Sequence, residues 1–334
     1  MSEICTIFKH LADLKPSDSA ILCTLVSVKG SSYRRPGARL LIVNNCRIAG
    51  NVSGGCLEED LMLHANQVSI TGIAQVVKYD TTNENDLVWG VGLGCNGIVH
   101  VLVEKLDLNR LPVNDLYQNL QDEKSIELVC IHDEQLNDKS LLGTYIRNNC
   151  NTSLLKNAFI QTLAPPHHLV IFGAGNDAIV LHTLAHELGW TITIADPRPA
   201  YATKDRFPKA RAIIGSSSHS LVAQANIKPE YSCVVMTHHY IHDLPVLKDL
   251  LSSPCGYIGL LGPKKRAEKI LNDIASEGLA ITQLMKERLH APVGLNLGVD
   301  TPQSVALSII AEIQAYLSRR DARPLRERNE PIHS

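Results

Sequence analysis

The chain has 334 residues, 45% of them hydrophobic, and 32 basic against 34 acidic side chains for a formal net charge of -2. That length favours two domains with ample apolar material for their cores, and the charge balance leaves no footprint for nucleic acid. No apolar run is long enough to span a bilayer, Met1 to Lys15 lacks the core of a secretory leader, and nine scattered cysteines without a CxxC pair exclude a disulfide framework and fit a reducing, cytoplasmic setting.

Ile4, Ile7, Phe8 and Leu11 recur at helical spacing, so the chain opens on an amphipathic helix. Ala20 to Val28 reads as a strand, followed by the loop Lys29-Gly30-Ser31-Ser32-Tyr33-Arg34-Arg35-Pro36-Gly37-Ala38-Arg39. Its three arginines and its serines suit a phosphate or a polar heterocycle; a solvated basic loop is the other reading. Strand residues Arg39 to Val43 and Ile48 lead into Gly50-Asn51-Val52-Ser53-Gly54-Gly55-Cys56-Leu57-Glu58-Glu59-Asp60, after which Leu61, Met62 and Ala65 return to helical spacing. A Gly-Gly turn that delivers Cys56 to a helix start lets backbone N–H groups face an anion and favours a thiolate, while the three acids oppose both. A tight turn around a buried structural cysteine fits the same residues.

Ala74 to Tyr79 is the next expected strand. Trp89-Gly90-Val91-Gly92-Leu93-Gly94-Cys95-Asn96-Gly97 then precedes an apolar run from Ile98 to Val103. Glycine at this density implies a close backbone approach, either to a ligand or within a bulge or hairpin. Residues 106–160 carry less pattern, with strands expected at Ser125 to His132 and Leu142 to Ile146. The run from Gly143 to Cys150 faintly echoes Gly37 to Cys46, and Pro165-Pro166 marks a linker.

In the second half an apolar run, His168 to Phe172, meets Gly173-Ala174-Gly175-Asn176-Asp177-Ala178 and then a helix. This is G-x-G-x-x-A between strand and helix, the setting of a dinucleotide fingerprint. The next strand ends at Asp196, where a ribose-binding carboxylate would stand. Further apolar runs at Ala212 to Ile214, Cys233 to Met236 and Tyr257 to Leu261 alternate with helices, which predicts a parallel sheet. His238, His239, His242 and Asp243 follow a strand end, so a ligand-facing loop is preferred there to a metal site.

The residues Gly30-Ser31-Ser32, Pro36-Gly37-Ala38-Arg39, Ser53-Gly54-Gly55-Cys56 with Glu58 and Asp60, and Gly92-Leu93-Gly94-Cys95 resemble the XdhC/CoxI family of accessory proteins of xanthine dehydrogenase and related molybdenum hydroxylases. So do Asp196-Pro197-Arg198, Arg206-Phe207-Pro208, Thr237-His238 with Asp243, Gly259-Leu260-Leu261-Gly262, Arg288-Leu289-His290-Ala291-Pro292-Val293-Gly294-Leu295 and Thr301-Pro302. The family commonly has glycine at Asn96 and histidine at Asn176. The resemblance implies an α/β protein: an N-terminal α/β domain with Gly-rich cysteine loops over 1–105, a connecting segment or extra strands over 106–160, a Rossmann-like doubly wound parallel sheet over 161–318, and a tail over 319–334.

It also implies a non-catalytic maturation factor. Such a protein binds molybdenum cofactor, as molybdopterin with or without a nucleotide, protects it during sulfuration and inserts it into an apo-hydroxylase. Its partners would be that hydroxylase and a cysteine desulfurase, with a second copy of the chain as a further candidate. The cofactor-binding candidates are Ser31, Arg39, Ser53, Gly54, Gly55, Gly94, Gly173, Gly175, Asp196, Arg198 and His238, with Cys56 and Cys95 as contacts to molybdenum or sulfur. An NAD(P)-dependent oxidoreductase built on Gly173, Gly175 and Asp196 is the alternative; a scaffold whose glycine loops are only turns is a third.

Overall fold

A computed structural model describes residues 3–80, 97–108, 110–298 and 300–328. Two compact units divide the chain between Pro165 and Pro166.

The first unit opens with helix α1 (Glu3–Ala12), which buries Cys5, Ile7, Phe8 and Leu11. Strands β1 (Ala20–Gly30), β2 (Arg39–Val43) and β3 (Cys46–Gly50) follow, then α2 (Glu58–Thr71), β4 (Gln75–Asp80) and β5 (Gly97–Lys105). Asn44 and Asn45 both take positive φ between β2 and β3, the backbone of a two-residue hairpin turn. The strands form an antiparallel sheet in the order β3-β2-β1-β5-β4. Helix α2 covers one face through Leu61, Ala65 and Val68, which pack with Ile21, Cys23, Leu25, Val101 and Val103 of the sheet.

Helix α3 (Val113–Gln121) and strands β6 (Ile126–Ile131), β7 (Gly143–Ile146) and β8 (Ala158–Leu163) complete this unit, the strands forming an antiparallel sheet in the order β7-β6-β8. A buried charge network ties the two sheets together. Glu104 on β5 accepts from the Thr144 N–H at 2.8 Å, the Thr144 hydroxyl at 2.5 Å and Arg110 Nη2 at 3.0 Å. Gly143 is fixed by this network, since a Cβ there would lie 2.2 Å from Arg110 Nη2.

The second unit runs β9 (His168–Phe172), α4 (Asn176–Glu187), β10 (Thr191–Asp196), β11 (Ala212–Gly215), α5 (Leu221–Ala225), β12 (Ser232–Val235), α6 (Tyr240–Ser252), β13 (Tyr257–Leu260), α7 (Lys264–Ser276), α8 (Gln283–Arg288), β14 (Leu289–His290) and α9 (Pro302–Ser318). Every strand pairing is parallel and the order is β11-β10-β9-β12-β13-β14. Alternate residues of β9 serve two cores. Leu169 and Ile171 pack with α4 and α9, while Val170 and Phe172 pack with α5, α6 and α7. Burial on both faces explains why these strands read as continuous apolar runs. The strand order reverses between β9 and β12, the switch point where open α/β sheets bind ligands. Among the described residues no helix is long and apolar enough to cross a membrane.

Candidate functional site

The loops singled out in the N-terminal half leave one end of the five-stranded sheet. Gly30 pairs with Gly97 there, Asp80 with Ile98, and Leu40 with Gly50. The connections 31–38 and 51–57 both start or finish at this end. The segment 81–96, which carries Gly94 and Cys95, lies outside the described residues.

The Ser53–Leu57 turn is organised by Glu58. Its Oε1 accepts from the N–H groups of Val52 at 3.1 Å and Ser53 at 2.9 Å, and its Oε2 accepts from the Ser53 hydroxyl. The Ser53 hydroxyl in turn accepts from the N–H groups of Gly55 at 3.1 Å and Leu57 at 3.2 Å. Glu58 is 2% exposed. Burial raises its pKa, but the hydrogen bonds from Ser53 and then Val52 outweigh burial and hold it below the ordinary carboxylate value. Sequence reasoning grouped Glu58 with Glu59 and Asp60 as acids opposing an anion at a helix start; it is the clasp of the turn instead.

The turn lines a cavity of about 260 Å³ whose other walls include Tyr33, Arg47, Gly50 and Asn51. None of these four was a site candidate from the sequence, although Tyr33 stands in the arginine loop. Cys56 follows the cavity-lining Gly55; it is half-buried and packs against the core between α2 and the sheet. Ser31 is exposed at the end of β1, its backbone opposite Gly97.

Arg39 is placed differently from the expectation of a ligand-facing loop arginine. It is 1% exposed, and its Nη1 donates to the Gly37 carbonyl at 2.8 Å and to Gln161 Oε1 at 2.6 Å. Its Nε and Nη2 have no hydrogen-bond partner among the described residues. The guanidinium is a buried tie between β2 and β8 rather than a wall of the cavity.

In the second unit the candidates gather at the switch point. Gly173 has φ of +125°, and a Cβ there would lie 2.4 Å from the Met236 carbonyl, so close packing of the β9 and β12 ends fixes this glycine. Asp196 is fully buried. It accepts from the Ala174 N–H at 2.6 Å, the Arg198 N–H at 2.8 Å, Arg198 Nε at 2.9 Å and Arg198 Nη2 at 2.7 Å. Burial raises its pKa, and the bonds from Arg198 reverse that to a net lowering. The expected ribose acceptor is thus already saturated by protein donors.

The start of α4 carries a carboxylate of its own. Asp177 Oδ1 accepts from the Ala178 N–H at 2.9 Å, and Oδ2 lies 2.6 Å from His238 Nε2. That carboxylate raises the pKa of His238, which is more than half exposed at φ of +62°. Gly175 lies against this pair, since a Cβ there would be 2.7 Å from Asp177 Oδ1. A carboxylate in the first turn disfavours an added anion there by like charge. The other members of the histidine run serve different partners: His242 Nδ1 meets Ser218 at 2.8 Å, and Asp243 accepts from Thr237 at 2.6 Å and Arg266 at 2.5 Å.

Residues 14–80 match the model of the XdhC and CoxI family, and residues 169–313 that of the XdhC Rossmann domain. A probable xanthine dehydrogenase subunit of Bacillus subtilis (strain 168) is 33% identical over 318 residues, covering 90% of this chain and 94% of that protein. The chain belongs to the XdhC/CoxI family. The crystal structure of a xanthine dehydrogenase from Bacillus halodurans superposes with a TM-score of 0.80 at 31% identity, covering 97% of this chain and 98% of that one. The molybdenum cofactor insertion chaperone PaoD of Escherichia coli (strain K12) is 25% identical over 300 residues, covering 90% of this chain and 84% of PaoD. The family signature and the cavity share the segment from Tyr33 to Glu58, and the Rossmann signature takes in the Asp196–Arg198 and Asp177–His238 pairs.

Proposed function

We propose that this protein binds molybdenum cofactor, shields it while its terminal oxo group is exchanged for sulfur, and inserts it into a molybdenum hydroxylase. The observation that carries this reading is the similarity along most of the chain to an insertion chaperone for that cofactor. The sheet end that gathers the glycine loops supports it. Its cavity offers an aromatic ring, a guanidinium and a turn without side chains, which suit a flat pterin bearing a phosphate. In this reading Ser53, Gly54 and Gly55 meet the pterin, and Ser31 and Gly94 are further candidates. Cys56 and Cys95 supply soft thiolates for molybdenum or sulfur. In the second unit, taken by itself, Arg198 and His238 at the switch point are the cationic candidates for a nucleotide phosphate, while Gly173 and Gly175 are already explained by packing. The partners are an apo-hydroxylase and a cysteine desulfurase, with a second copy of the chain as a further candidate.

NAD(P) chemistry in the Rossmann domain has less to support it. A ribose acceptor and a free helix start are what a dinucleotide needs, and Asp196 and Asp177 are already engaged.

The test is Cys56→Ser. This variant is expected to melt with the wild type, because a half-buried serine replaces a half-buried thiol. It is expected to lose most of the activation of apo-hydroxylase, read as recovered hydroxylase turnover after incubation with cofactor and desulfurase. Undiminished activation would remove Cys56 from the mechanism.

A further inference from the structure

We infer that the outward face of α2 is a contact between two copies of this chain, the two helices packing antiparallel about a two-fold axis near Asn66 and Gln67. The residues of this face do not line the cavity at the glycine turn, so the inference stands without the cofactor reading.

Helix α2 is apolar on two sides. Leu61, Ala65 and Val68 are buried against the sheet. Leu63 and Ile70 lie two turns apart on the outward side and are 71% and 80% exposed; Ile73, just past the helix, is 59% exposed. Asn66 and Gln67, between them, are exposed amides. From Leu61 to Val77 the sequence holds no Asp, Glu, Lys or Arg. A helix face turned to water normally carries charge, whereas a helix apolar on both sides is covered on both. Single exposed apolar residues are ordinary, but three aligned without an intervening charge mark a contact surface.

The ends of this face identify what covers it. Glu59 is exposed in the first turn of α2, and the last turn has no basic residue of its own. At that far end the exposed Lys105 donates from Nζ to the Ser69 carbonyl at 3.4 Å. The face is therefore acidic at its start, basic at its end and uncharged between. An isologous contact requires a patch that complements itself. Laid antiparallel on a second copy, the face brings each Glu59 to the Lys105 end of the other copy and sets Leu63 against the other copy's Ile70. Asn66 and Gln67 then meet their own counterparts, and amides both donate and accept. A parallel alignment would place like charges together. One helix of 14 residues from each copy makes less than a standard-sized interface, so the dimer is reversible, with dissociation in the micromolar range.

The experiment is sedimentation velocity on the full-length protein from about 1 to 300 μM, a range that brackets micromolar dissociation. Reductant is present throughout, because Cys46 is exposed and could cross-link copies. The wild type is expected to pass from monomer to dimer within that range. Ile70→Asp, a change at an exposed position, should melt with the wild type and raise the dissociation constant about a hundredfold, leaving monomer at every concentration. Glu59→Lys and Lys105→Glu should each weaken the dimer about tenfold, since each creates two like-charge contacts per dimer, and the double variant should restore it. A wild type that stays monomeric throughout would overturn the assignment and leave the face to a different protein. A dimer that survives Ile70→Asp would place the contact elsewhere and overturn it equally. Charge variants without effect, or a double variant that does not recover, would overturn the antiparallel arrangement.

Discussion

Glu58→Ala is expected to abolish ligand binding at the glycine turn and to cost the N-terminal unit about 2–4 kcal/mol, since it strands the buried N–H groups of Val52 and Ser53 and frees the Ser53 hydroxyl. Glu58→Gln should fall between, because an amide oxygen can still accept from the two N–H groups while its nitrogen cannot accept from Ser53. Denaturant unfolding and a titration with a pterin phosphate, followed by pterin fluorescence, measure the two effects. The folded-state pKa of Glu58 is depressed, so its contribution is complete above the ordinary carboxylate range and is lost as pH falls through the folded value. The wild-type advantage over Glu58→Gln should therefore shrink in acid. If Glu58→Ala binds pterin like the wild type, the turn does not need its clasp and the site is placed wrongly.

Glu104→Ala is expected to destabilise the N-terminal unit by about 2–4 kcal/mol, because it strands the buried donors of Thr144 and takes the carboxylate away from Arg110. Glu104 is fully buried and is the acceptor for Arg110 and for both donors of Thr144. Arg39, also buried, has two nitrogens without hydrogen-bond partners among the described residues and adds positive charge to the same region. Glu104→Gln should cost less, since the Thr144 N–H keeps an acceptor. Urea unfolding of both variants reads this directly. A loss below about 1 kcal/mol for Glu104→Ala would mean that water reaches the network and that it does not lock the two sheets together.

The Rossmann half was legible because local and global signals agree there. Apolar runs with burial on both faces alternate with helical spacing, and Gly173 marks the first turn by a packing need that glycine alone meets. The antiparallel pairing of the first unit was not legible, since it depends on which distant strands meet. Arg39 illustrates the difficulty. Its residue type suggested a ligand contact, but its burial is decided by Gln161, 122 positions away. Glu58 was hidden for a local reason: it reaches back five residues to Ser53, outside the three-residue spacing of a capping box. Arg47 and Tyr33 meet at one cavity only once the Asn44-Asn45 turn folds β3 onto β2. The pairing of Asp196 with Arg198 could have been read from Asp196-Pro197-Arg198, because an arginine two residues past a strand-end acid can fold back onto it. Taking that acid as a ribose ligand overlooked its nearest cation.

Co-elution of molybdenum with the protein tests the central claim most directly. The purified full-length chain is mixed with molybdenum cofactor released from a donor enzyme, and molybdenum and pterin are measured across a gel-filtration run. The account predicts that both elute with the wild type in a fixed ratio and pass to an apo-hydroxylase added afterwards. Molybdenum and pterin that elute only in the small-molecule volume would contradict it.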